Sequence, residues 1–155
     1  MNAFDTSYFE NASRGEKRKA VDELCKRHAD LKDLNQRTSG SGMLTYIEGN
    51  ALIDNMNEVF GSTGWNTRIV SLEGTLLEPR KWEYMCTIEV TVSEFNSVRQ
   101  DVGFGAGDRE KASKEAVTDA IKRACRQYGN YFGNSLYDKG HLAELEIERK
   151  QKKQK

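Results

Sequence analysis

The chain has 155 residues, enough for one domain with a buried core. Its 24 basic residues are balanced by 24 acidic ones, so any affinity for a polyanion has to come from charge placed locally rather than from a basic surface. Hydrophobic content of 37% against 31% charged gives no composition argument for burial in an assembly, and the lack of any 18-residue apolar run excludes a transmembrane helix.

In chain order, residues 1–14 are polar and expected to be flexible; MNAFDTSYFE lacks the basic and apolar regions of a secretory signal. Residues 15–34 space Val21, Leu24, Cys25, His28 and Leu31 as one apolar stripe, which predicts a helix. NQRTSGSG at 35–42 has loop composition, and residues 43–46 form a short extended piece. From Glu48 to Phe60, apolar residues at 52, 53, 56, 59 and 60 predict a helix closed by Gly61. Three strands follow, Trp65–Leu72, Trp82–Val92 and Val98–Phe104, with Pro79 between the first two. In the second, Cys86, Ile88, Val90 and Val92 alternate with Met85, Thr87, Glu89 and Thr91, which predicts a sheet with one covered face. A long helix is expected over 108–128, a turn over 134–141 and a second helix over 141–149. Residues 15–149 then make one domain, and 150–155 a disordered basic tail.

The chain is organised around DVGFGAGDREKASKEAVTDAIKRACRQYGNY at 101–131. At 100° per residue, Lys111, Lys114, Thr118, Lys122 and Arg126 share one helical face, with Arg123 beside it. Val117, Ala120, Ile121, Ala124 and Tyr128 share a neighbouring face; alanines at 116, 120 and 124 let the helix lie close to its support. Asp108 is placed to cap the first turn, and Gly129 and Gly133 supply stop signals. A charge run on a helix is usually a solvated face. Two features oppose that here: the stripe mostly lacks acids at i+4, and GFGAG reads as a turn whose free N–H groups would sit beside it. The economical architecture is α+β, in the order α–β–β–β–α, with a three-stranded antiparallel sheet packed by the long helix and two open edges that invite pairing.

Chemistry-bearing motifs are few. GxxxxGK[ST], HExxH and a nucleophile elbow are absent, and GFGAG lacks the third glycine of a dinucleotide fingerprint. Cys25, Cys86 and Cys125 are widely spaced, and with only His28 and His141 they predict reduced thiols rather than zinc ligands. Glu48, Asp54, Glu58, Asp101 and Asp108 are scattered acids, read as capping or solubility residues rather than a metal-dependent nuclease site. No catalytic residue, metal or cofactor is expected. From the residues alone, one reading is a nucleotide- or RNA-binding module in which the glycine turn and helix N-terminus hold a small phosphate ligand.

YIEGNALIDNMNEVFGSTGW at 46–65, DVGFGAGDREKASKEAVTDAIKRACRQYGN at 101–130 and FGNSLYDKGHL at 132–142 closely resemble the Rad52 family of single-strand annealing proteins. The resemblance spans residues 43–142 well, and the N-terminal helix weakly. It implies a non-enzymatic homo-oligomeric ring that binds single-stranded DNA. Such a ring anneals complementary strands without ATP in homologous recombination and double-strand break repair. In such rings the phosphates face the floor of an outer groove and the bases point outward. Carried over by position, the groove's phosphate contacts fall on Lys111, Lys114, Thr118, Lys122, Arg123 and Arg126, joined by Arg37 and the backbone of Ala106, with Tyr46 as a neighbouring aromatic. Arg80 and Lys139 match the family's second, outer DNA site, but Ala143 stands where that site has an arginine. The segment between GFG and the helix is shorter than is usual and lacks its basic residue. The long C-terminal region that recruits a recombinase and a single-strand binding protein in eukaryotic members has no counterpart here, so the resemblance raises both as partners but this chain alone does not support them. The resemblance places the protein in the nucleus of a eukaryote, or in the host cytoplasm if phage-encoded.

Overall fold

The computed structural model describes residues 13–40 and 42–154; the stretch expected to be flexible falls almost wholly outside the described residues. Helix α1 (Arg14–Cys25) opens on a capping box, in which Ser13 Oγ accepts from Glu16 N–H and Glu16 accepts from Ser13 N–H. It stops well short of the expected residue 34. The chain instead forms a short 3₁₀ turn, Leu31–Asp33, and Leu34 begins a strand. Strands β1 (Leu34–Ser39) and β2 (Gly42–Ile47) pair antiparallel from Leu34↔Ile47 to Ser39↔Gly42, so the expected 35–42 loop is most of a hairpin. Its composition misleads because both faces of β1 beyond Leu34 are largely open to solvent, so polar side chains suit a strand there.

Helix α2 (Gly49–Phe60) buries Ala51, Leu52, Met56 and Val59 and ends at Gly61, whose φ of 79° suits glycine. Strands β3 (Trp65–Glu78), β4 (Lys81–Val92) and β5 (Ser97–Gly107) form an antiparallel sheet in the order β3-β4-β5. Pro79 and Arg80 make the β3–β4 turn, with Arg80 in the left-handed region at φ 64°. On β4 the alternation behaves as expected: Cys86, Ile88, Val90 and Val92 are buried and their neighbours half-exposed. Helix α3 (Arg109–Arg126) crosses that apolar face over β4 and β5. Asp108 Oδ1 accepts from Lys111 N–H at 3.0 Å and caps it. Two 3₁₀ turns, Asn130–Phe132 and Asn134–Tyr137, lead to helix α4 (Lys139–Lys153). That helix starts before His141 and runs through four of the residues expected to be a disordered tail. Glu148–Lys152 at i,i+4 supports its last turn, and the lysines there suit the negative end of the helix dipole.

GFGAG is not a turn. Gly103, Phe104, Gly105, Ala106 and Gly107 are the last residues of β5. The seam explains the glycines: a Cβ on Gly103 would strike the backbone of Ala116 and Ala120, and one on Gly105 the backbone of Ala112 and Ala116. On the helix side, Ala112, Ala116, Ala120 and Ala124 are wholly buried. Glycine against alanine thus brings helix and strand into backbone contact, and dispersion between close-packed atoms holds the seam.

The expected pair of open sheet edges is also corrected. Along β5, Phe104 N–H donates to Asp119 Oδ2 at 3.0 Å and Ala106 N–H to Glu115 Oε2 at 3.4 Å, so acids of α3 occupy that edge. The β3 edge has no neighbouring strand among the described residues. Cys25, Cys86 and Cys125 are buried free thiols, and burial pushes Cys25 and Cys125 up to about 12, far from a reactive thiolate.

Candidate nucleic-acid interface

Helix α3 gives its outer face to a groove of about 690 Å³. The β1–β2 hairpin forms one wall through Arg37, Leu44, Thr45 and Tyr46, and the 3₁₀ segment before α4 forms another through Phe132, Leu136 and Tyr137. Six cations line it, Arg37, Lys111, Lys114, Lys122, Arg123 and Arg126, against Glu115 and Asp119. From Lys111 to Arg126 the stripe runs about 22 Å along the helix.

The structure therefore brings together eight of the nine residues expected at the main site: Arg37, Tyr46, Lys111, Lys114, Thr118, Lys122, Arg123 and Arg126. Ala106 is not part of the groove lining, and its N–H is already taken by Glu115. Arg80, at the exposed tip of the β3–β4 hairpin, and Lys139, at the start of α4, lie outside the groove. Arg109, first residue of the helix, turns to Trp82 instead, 5.3 Å from its ring centroid, and donates from Nε to Tyr84 Oη.

The stripe carries more acid than its sequence pattern suggests. Lys114 pairs with Glu110 at 2.6 Å and Arg123 with Asp119 at 3.1 Å, both at i,i+4. Arg37 reaches Glu115 at 3.7 Å from across the groove. Such exposed pairs contribute little to stability, so an incoming anion can displace them at small cost. Lys111, Lys122 and Arg126 make no ion pair among the described residues.

Lys122 and Arg126 are held by rings. Lys122 Nζ lies 5.0 Å and Arg37 Cζ 5.7 Å from the Tyr46 centroid, so this tyrosine orders two cations. Arg126 Cζ lies 4.2 Å from the Tyr137 centroid, and Arg126 Nη1 donates to Asn134 Oδ1 at 3.2 Å. Burial in the groove lowers the Lys122 pKa from its ordinary value; Arg37 adds to this, and Glu48 and Asp119 oppose it. A phosphate seated here would act in the opposite direction and raise it. Arg126 Nε is buried with no hydrogen-bond partner in the protein, a donor left unsatisfied at the groove.

Tyr137, Phe104 and Leu44 were not anticipated as groove residues. Tyr137 lies in the recognised FGNSLYDKGHL stretch, but nothing in its spacing says that a 3₁₀ turn folds it back over the end of α3.

No three His, Cys, Asp or Glu side chains among the described residues are grouped to hold a metal. His28 and His141 stack on each other at 4.0 Å, with His28 Nδ1 3.0 Å from Ser135 Oγ. No helix among the described residues is long and apolar enough to cross a membrane.

An α+β domain whose long helix carries a cationic groove is thus the class that fold and site define. The model of the Rad52/22 family double-strand break repair protein matches residues 17–155. The chain belongs to the Rad52/22 family. It is similar to the DNA repair and recombination protein RAD52 of Saccharomyces cerevisiae, 37% identical over 119 residues, which covers 69% of this chain and 25% of that protein. It is 34% identical over 125 residues to the DNA repair and recombination protein rad22 of Schizosaccharomyces pombe, covering 70% and 26%. With mus-11 of Neurospora crassa, another DNA repair and recombination protein, identity is 35% over 126 residues, covering 72% and 21%. The chain spans about a quarter of the length of these relatives.

Proposed function

We propose that this domain binds single-stranded DNA along α3 and anneals complementary strands without ATP, as a non-enzymatic step in homologous recombination and double-strand break repair. The observation that carries the reading is the groove, where six cations, five on α3 and Arg37 on β1, converge along about four turns of helix. A row of that length fits a chain of phosphates better than one phosphate, and neutralising phosphates gains affinity by releasing counterions. The names of the relatives supply the repair context, and their fungal sources fit work in a nucleus. The small-phosphate alternative loses its main support, because GFGAG is strand and the Phe104 and Ala106 N–H groups are bonded to carboxylates. Residues 15–149 act as the DNA-binding and oligomerisation unit in this reading. Arg80 and Lys139 are offered to a second DNA path.

Binding of a labelled oligonucleotide, followed by anisotropy across a salt series, tests this. Six phosphate contacts predict a log–log salt slope near −4 for one protomer's stretch of strand, at roughly 0.7 per contact. Free mononucleotide should compete poorly. A shallow slope with efficient mononucleotide competition would favour the small-ligand pocket.

The ring has its own support. Opposite residues in an antiparallel pair share a face, so Ile69, Leu72 and Leu76 lie on the side of Ile88, Cys86 and Trp82 that α3 covers elsewhere. Helix α3 touches β3 far less than it does β4 and β5, and these three side chains remain 50%, 40% and 55% exposed. Together with the unpaired β3 edge they form a surface suited to a second copy of this chain. Light scattering at micromolar concentration should give a mass many times 17.6 kDa. A monomer at moderate salt would remove the ring.

A further inference from the structure

We infer that Tyr137 is a base-stacking residue, which pins one nucleobase at the Arg126 end of the groove. This rests on the reading of the groove as a single-strand site and adds a contact to a base where that reading has contacts to phosphates.

The geometry singles out Tyr137 among the tyrosines of the described residues. Tyr128 and Tyr131 are half-buried and use their hydroxyls on Ser97 and Glu58. Tyr46 is half-buried, with two cations on its ring. Tyr137 lines the same groove yet stays 61% exposed, with Arg126 4.2 Å from its centroid. A guanidinium against a ring leaves aromatic surface for a flat partner, and every base has a π-face that can take it.

The platform is also rigid. Leu136 N–H donates to Gly133 O at 3.1 Å and Asp138 N–H to Ser135 O at 3.0 Å, which fixes the turn carrying the ring. Phe132, wholly buried, anchors that segment to the core. Asn134, in the same turn, holds the Arg126 guanidinium at 3.2 Å, so ring and cation are set by one element. A strand whose phosphate is drawn to Arg126 therefore brings the attached base beside Tyr137. Along the rest of α3 the stripe leaves Lys111, Lys114 and Thr118 exposed, and the helix itself carries no aromatic to stack a base there.

The test compares Tyr137→Leu, Tyr137→Phe and wild type on two probes: a short oligothymidine and an abasic deoxyribose-phosphate strand of equal length. Tyr137→Leu should weaken oligothymidine binding by roughly fivefold to a hundredfold, the range for losing one base–aromatic stack. Its affinity for the abasic strand should stay within about twofold of wild type. Tyr137→Phe keeps the ring and should match wild type on both probes. Equal loss on both strands for Tyr137→Leu would mean that the ring only positions Arg126, and no loss on either would mean that it has no role; either overturns the inference alone. Failure of wild type to bind either probe would overturn the groove reading and the inference with it. Exposure of the side chain makes misfolding of Tyr137→Leu an unsuitable explanation, and unchanged circular dichroism confirms that.

Discussion

Alanine at Gly103 or Gly105 should each destabilise the fold by about 3 kcal/mol or more, the upper end of overpacking costs. The obstacle is the peptide backbone of α3 at Ala112, Ala116 and Ala120 rather than the end of a flexible side chain, so no rotamer change gives relief. The helix has to move off β5, and four wholly buried alanines lose their contacts together. Against a typical total stability of roughly 5–15 kcal/mol this is a large fraction. The melting point should fall by about 6–12 °C for a domain of this size. Gly42→Ala is the control, since a Cβ there meets nothing within 4 Å. Thermal unfolding at fixed protein concentration decides the matter. A Gly105→Ala protein melting within a degree or two of wild type would mean that the seam is not in backbone contact.

The second large effect is on binding. Lys122→Ala combined with Arg126→Ala should weaken single-strand affinity by about a hundredfold, taking roughly 1.5 kcal/mol for each charge-assisted contact. These residues make no ion pair among the described residues, so their charge is available to phosphate, whereas Lys114 and Arg123 must first leave Glu110 and Asp119. Phosphate contacts carry no sequence information, so homopolymers of different base should lose affinity alike. The salt slope should become shallower by about 0.7 for each contact removed. A loss confined to one base type would assign Lys122 and Arg126 to base recognition. The unequal starting states give an internal check: Lys114→Ala should cost less than Lys122→Ala, because wild-type Lys114 has to give up Glu110 before it can hold a phosphate.

Much of this site was legible because its signal is periodic and local. Lys111, Lys114, Thr118, Lys122 and Arg126 follow from 3.6-residue spacing, and the Asp108 cap and the covered face of β4 from equally short-range rules. The order α2–β3–β4–β5–α3 followed for the same reason. What failed depended on packing between distant segments. GFGAG has the composition of a turn, and only the alanines nine to seventeen residues later explain it as a strand shaved to fit a helix. The 35–42 stretch has polar residues and two glycines at its tip, and nothing local shows that Leu34 pairs with Ile47. The pairs Glu110–Lys114 and Asp119–Arg123 could have been read from i,i+4 spacing, but a wheel that counts only the cations leaves them out. Tyr137 needed the chain reversal at Gly133, where φ is 94°.

The groove and its surroundings also bear on how annealing would be driven. In the proposed reading, which involves no ATP, the energy comes from pairing itself, about 1.4 kcal/mol per base-pair step from stacking on average. The protein's share is then to neutralise backbone repulsion and leave base edges exposed. The most direct measurement is the rate at which two complementary oligonucleotides pair, without ATP, at protein concentrations that saturate both strands. Wild type should pair them much faster than the strands pair alone, and the Lys122→Ala, Arg126→Ala double variant should not. A wild-type protein that binds single strands tightly yet never speeds their pairing would contradict annealing and leave storage or protection of the strand as its function.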